Sequence, residues 1–160
     1  MSKLLIKNAR LVNEAQVRDS DVLIDGERIA RIDTDISAPQ GAEVIDAAGK
    51  WLLPGMIDDQ VHFREPGMTH KGDLATESAA AAAGGITSFM DMPNVSPQTT
   101  TRQALADKYL LAADRCTANY GFYLGATNGN IEEVKALQVN EACGIKIFMG
   151  ASTGDMLVDD

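Results

Sequence analysis

Pro54-Gly55-Met56-Ile57-Asp58-Asp59-Gln60-Val61-His62-Phe63-Arg64-Glu65-Pro66-Gly67 reads as a strand that opens after one Pro-Gly and runs into a histidine and an arginine before a second. On an extended strand alternate side chains share a face, so Asp58, Gln60 and His62 point one way and Ile57, Val61 and Phe63 the other. Burying such a polar row is costly unless a metal ion or a hydrogen-bonded site receives it. A half-exposed edge strand would avoid the cost. The Pro-Gly before the row and the Arg-Glu-Pro-Gly after it favour the site.

Downstream of Pro54 the pattern repeats as strand, loop and helix at intervals of roughly thirty residues, the size of a βαβ unit. Apolar strands are expected at Met56–His62, Ile86–Asp91, Ala118–Leu124 and Ile145–Met149, each aliphatic enough to be buried on both faces. Helices are expected at Asp73–Ala83, Arg102–Ala113 and Ile131–Gln138. The alanine run Ala79–Ala83 is closed by Gly84-Gly85, while Thr101 and Asn130 are placed to cap the second and third helices. Such alternation points to a parallel sheet with helices outside it.

Upstream, Leu4–Val12, Val22-Leu23-Ile24, Arg28–Ile32 and Val44-Ile45 read as short strands, with a hairpin turn at Asp25-Gly26. Residues 1–54 are therefore expected to form a small β-sandwich module, and residues 55–160 the first half of a TIM (β/α)8 barrel. A closed eight-unit barrel takes about 250 residues. Four strands and three helices supply half of one and leave the edge of the fourth strand unpaired, so the chain is expected to be the N-terminal part of a longer protein. A short doubly wound sheet is the alternative.

The chain has 160 residues, 45% of them hydrophobic and 23% charged, the composition of an ordinary globular protein. Its 23 acidic and 14 basic residues give a net charge of -9, which repels nucleic acid and anionic membrane surfaces. Lys3 and Lys7 interrupt the start, so it does not read as a secretory signal, and no apolar run reaches membrane-spanning length. A cytoplasmic location is expected. Cys116 and Cys143 lack paired spacing and are read as reduced, partly buried thiols without a function.

Sites of parallel α/β folds form at the carboxyl ends of the strands. His62 and Arg64 fall there after the first barrel strand, Asp91-Met92-Pro93-Asn94 after the second, and Gly125-Ala126-Thr127-Asn128 after the third. Lys146 lies within the fourth, in Gly144-Ile145-Lys146-Ile147-Phe148-Met149-Gly150. A lysine between Ile and Phe in a central strand is costly as a cation, and burial favours the neutral amine that does covalent chemistry. A lysine snorkelling from a strand end is the plain alternative, as a turn residue is for Asn94 and a strand-end hydrogen bond for Asp58. His70 reads as a loop residue before the first helix.

These motifs in order resemble the dihydroorotases of the cyclic amidohydrolase superfamily: the Pro54–Gly67 run, Asp-Met-Pro-Asn at 91–94 and Lys-Ile-Phe-Met at 146–149. The resemblance covers essentially the whole chain and implies a metal-dependent hydrolase barrel with two zinc ions at its mouth. It implies that His62 is a zinc ligand facing the substrate, that Lys146 becomes a carboxylated, metal-bridging catalytic lysine, and that Arg64 and Asn94 hold the substrate carboxylate. Asp58 would orient a ligand from behind. Gln60 stands where the family places the first histidine of the pair, and its amide oxygen is a weaker zinc donor. The other ligands and the catalytic aspartate would lie beyond Asp160, so the 160 residues alone are expected to be inactive.

The implied reaction is reversible, zinc-dependent hydrolysis of dihydroorotate to N-carbamoyl-aspartate in pyrimidine biosynthesis. Hydantoinases, dihydropyrimidinases and allantoinases are rivals whose substrates lack the ring carboxylate that Arg64 would grip. A non-catalytic scaffold subunit, partnered with aspartate carbamoyltransferase, is the alternative from another class. The resemblance also implies a small-molecule substrate and a homo-oligomer, with no nucleic-acid or membrane partner.

Overall fold

The computed structural model describes residues 2–150 and 154–160. The chain divides into two compact units, Met1–Pro54 and Gly55–Asp160.

The first unit holds β1 (Lys3–Asn13), β2 (Gln16–Asp25), β3 (Arg28–Asp33), β4 (Glu43–Asp46) and β5 (Trp51–Leu52). They form one mixed five-stranded sheet in the order β3-β2-β1-β4, with β5 also pairing β1. The expected Asp25-Gly26 hairpin joins β2 and β3 antiparallel, Asp25 opposite Arg28 and Gly26 at φ 60°. One carboxylate is buried here. Asp21 accepts the amide hydrogens of Asn8 at 2.9 Å and Ile36 at 3.0 Å, and these bonds hold it below the ordinary carboxylate range.

The second unit holds β6 (Met56–Val61), α1 (Leu74–Ala83), β7 (Ile86–Asp91), α2 (Arg102–Ala112), β8 (Asn119–Gly125), α3 (Ile131–Ala136) and β9 (Gly144–Lys146). Its four strands are parallel, in the order β6-β7-β8-β9, a half-barrel sheet. Asp73 caps α1 with both halves of a capping box, and Gly84 closes it. Thr101 caps α2 by accepting from Ala104 N at 3.1 Å.

Apolar side chains on the helix side fuse these elements. Phe63, Leu74, Phe89, Leu105, Ala112, Ala118 and Phe122 form one buried cluster, with the Phe63 and Phe89 rings 4.5 Å apart. Burying each such phenylalanine contributes ~1.5–3 kcal/mol. Phe63 follows His62 directly, so the core anchors the chain at the point where the strand gives way to the loop.

Two expectations need correction. Asn130 does not cap α3: its Oδ1 accepts from Thr127 N at 2.7 Å, and its Nδ2 donates to Thr100 O and Gly125 O at 2.7 and 2.8 Å. It ties two loops together instead, because both carbonyls lie within reach of one amide. The fourth strand is Gly144–Lys146, so Lys146 ends it, half-buried, rather than lying inside it. Within these 160 residues β6 and β9 are each paired on one side, and Ile57 is 65% and Ile145 45% exposed.

Candidate active site

Parallel pairing aligns the carboxyl ends of the strands along one edge, with Val61 opposite Asp91, Asp91 opposite Phe122, and Gly125 opposite Lys146. The loops leaving that edge carry His62 and Arg64 after β6 and Asn94 after β7. His62 Nδ1 lies 2.9 Å from Asn94 Oδ1. An amide oxygen only accepts, so this pairing puts a ring hydrogen on Nδ1, and in the neutral ring the lone pair then lies on Nε2. Arg64 Nη1 donates to the Asn94 carbonyl in a long contact of 3.4 Å. Three of the residues singled out in the sequence thus meet across one gap between loops.

The backbone around them is tightly held. Met92 N donates to Val61 O at 3.0 Å, and Phe63 N to Asp91 Oδ1 at 2.9 Å. Arg64 sits at φ 66°, a left-handed conformation that costs a non-glycine residue roughly 1–2 kcal/mol. Neighbours on both sides fix it there. Glu65, buried, accepts from Leu74 N at 2.9 Å and from Arg115 Nη1 at 2.8 Å, which pins the loop to the start of α1. At Gly67, φ 77°, a Cβ would fall 1.7 Å from Ser96 O, so only glycine lets the two loops approach this closely.

Beneath the loops lies an ion pair. Asp91 Oδ2 and Lys108 Nζ are 2.7 Å apart with side chains 0% and 1% exposed, a charge contact that lacks hydrogen-bond alignment at Oδ2. Lys108 Nζ also donates to Met92 O at 3.1 Å and lies 4.9 Å from the Phe122 ring centroid. Burial pushes the Lys108 ammonium below its ordinary value, and the Asp91 charge opposes that shift.

The other sequence candidates stand apart from this group. Gln60 is exposed near the end of β6. Asp58 Oδ1 accepts from Gln60 N at 3.1 Å, a local bond within β6. The strand register shifts between Asp58 and Val61, so the alternation expected for the polar row is broken by an irregularity. Within these 160 residues β6 is paired on one side, and His62 and Gln60 are exposed. Lys146 lies on β9, three strand spacings or about 14 Å away along the sheet. Its Nζ sits 5.0 Å from the Phe148 ring centroid.

Among the described residues no group of three or more His, Cys, Asp and Glu side chains could hold a metal ion. The donors that the chain does offer fit one wall of such a site. His62 has a free Nε2 and an Nδ1–H fixed by an oxygen acceptor, the arrangement usual for a metal-bound imidazole. Burial pushes the Cys143 thiol up to about 11 and the Cys116 thiol upward, which argues against either as nucleophile. A concavity of about 470 Å³ between Arg102, Leu105, Tyr109, Leu110 and Glu141 contains none of the site residues.

Sequence reasoning missed Lys108 and Glu65. Lys108 had a signal, since it falls three residues after Leu105 and four before Ala112 on the buried stripe of α2. Glu65 had none beyond its place beside Arg64.

Residues 51–154 match the Amidohydrolase family. The dihydroorotase of Methanosarcina acetivorans is 39% identical over 161 aligned residues, covering 100% of this chain and 34% of that protein. The allantoinase of Deinococcus radiodurans is 38% identical over 150, covering 93% and 33%. Among solved structures, the L-hydantoinase (dihydropyrimidinase) of Arthrobacter aurescens superposes with a TM-score of 0.91 at 33% identity, over 99% of this chain and 35% of that one. The chain thus spans about a third of the length of the relatives it matches. No helix among the described residues is long and apolar enough to cross a membrane.

Proposed function

The chain belongs to the amidohydrolase family, and from that premise we propose that it is the N-terminal third of a zinc-dependent dihydroorotase acting in pyrimidine biosynthesis. Water adds across the ring amide C–N bond of dihydroorotate and gives N-carbamoyl-aspartate, reversibly. The observation that carries this reading is the meeting of Arg64 and Asn94 beside His62. The Arg64 guanidinium presents a planar donor fork, the natural counterpart of a ring carboxylate. Asn94 Oδ1 accepts from His62 Nδ1, and its Nδ2 hydrogens remain for the same carboxylate. His62, with Nε2 free, and carboxylated Lys146 would hold zinc, with Gln60 as a weaker oxygen donor. Zinc, when bound, polarises the ring carbonyl and acidifies water.

Two observations favour other readings. The 0.91 TM-score to an L-hydantoinase supports a cyclic amidohydrolase whose substrate has no carboxylate. Gln60 in a ligand position supports a scaffold subunit, with aspartate carbamoyltransferase as its partner. Metal content and turnover of the purified longer protein separate the three. Bound zinc with dihydroorotate ring opening is the expected result. Preference for hydantoin selects the second reading, and absence of both zinc and turnover the third.

A further inference from the structure

Asp91 and Lys108 bury opposite charges beneath the loops, yet neither is used in the reaction proposed above. A pair needed only to fill space could be replaced by apolar side chains of the same volume without loss. The geometry gives this pair more to do. Lys108 faces one oxygen of Asp91, and the other oxygen accepts the amide hydrogen of Phe63 at 2.9 Å. Phe63 stands between His62 and Arg64, and its ring is locked against Phe89. Lys108 also holds the carbonyl of Met92, two residues before Asn94. Both halves of the His62–Asn94 contact are thus hung from one ion pair, the His62 side from the Asp91 carboxylate and the Asn94 side from the Lys108 ammonium.

We infer that Asp91 is a positioning residue: held in place by Lys108, it fixes the Phe63 amide and so delivers the His62 ring to Asn94 with Nδ1 protonated and Nε2 free. The inference deepens the proposed function, resting on its reading of His62 as a site residue, but its readout needs neither metal nor substrate.

The test is the tautomer of His62, read from ring-nitrogen correlation spectra of the histidine-labelled 160-residue chain carrying His70→Gln, in which His62 is the one histidine. Two variants share Lys108→Met, so Met92 O loses its donor equally in both. Adding Asp91→Asn keeps a side-chain oxygen for the Phe63 amide, and the Nδ1–H form should persist. Adding Asp91→Leu removes that oxygen, and the ratio should move toward Nε2–H by about fivefold or more, the factor a single intramolecular hydrogen bond carries. Amide spectra establish that each variant is folded. Where the leucine version fails to fold, Asp91→Ala in the same background removes the same acceptor and must show the same shift. A folded acceptor-less variant with an unchanged tautomer overturns the inference, as does a parent protein with His62 already in the Nε2–H form. A longer protein that opens hydantoin instead of dihydroorotate contradicts the proposed function while leaving the tautomer series intact.

Discussion

His62 Nδ1 and Asn94 Oδ1 lie 2.9 Å apart, so the loops that follow two adjacent strands are joined by one side-chain hydrogen bond. Removing the acceptor should loosen the imidazole that is proposed to bind zinc. Asn94→Leu in the longer protein should weaken zinc binding by about 10–100-fold, the usual cost of losing a ligand's orienting partner. Asn94→Asp, which keeps an oxygen, should lose much less. Competition against a chelator measures both.

Lys108→Met alone should destabilise the half-barrel unit by about 3–5 kcal/mol, because Asp91 is left as an uncompensated buried charge. Adding Asp91→Leu should recover part of that loss, the rest remaining because the Phe63 amide is left without its acceptor. Urea denaturation of the single and double variants decides it, and a double variant no more stable than the single one would contradict the account.

The N-terminal unit carries its own pH dependence. Asp21 is held below the unfolded value of 3.8, chiefly by the Ile36 amide and then that of Asn8. Its ionised form is therefore the stabilising one. The contribution is complete above 3.8 and disappears as pH falls through the lower folded value. Asp21→Asn should remove that acid-side loss. The emission of Trp51, the chain's one tryptophan, followed through acid titration reports on this unit.

Gln60→His should raise zinc content in the longer protein if the glutamine is a weak ligand of a second metal. Turnover should rise with it. More metal at an unchanged rate would mean that the second ion is dispensable.

Much of the fold was legible because its signals are local. The apolar run Ile86–Asp91 is β7 residue for residue, and Thr101 and Gly84 end helices as their chemistry dictates. Asn130 misled because one of its partners, Thr100, lies 30 residues away in a loop that only the folded sheet brings near, and the amide bonds it together with the end of β8 instead of capping α3. Burial of Lys146 and of the Asp58, Gln60 and His62 row was inferred from flanking aliphatic residues. Those flanks speak for a strand and are silent on where its pairing ends, which in β9 is at Lys146 itself. For the site, residue types and order marked His62, Arg64 and Asn94. Their meeting depends on Asp91 and Lys108, 17 residues apart in sequence (91 to 108), whose pairing no local pattern announces.

Arg64 carries the choice of substrate, and its contribution can be read directly from kcat/KM for dihydroorotate and for hydantoin in the longer protein with and without Arg64→Met. The account predicts that dihydroorotate is preferred and that the substitution lowers its kcat/KM by about 100-fold, the loss of a charged carboxylate hydrogen bond, while hydantoin turnover changes little. Equal losses on both substrates, or a preference for hydantoin with Arg64 in place, would contradict it.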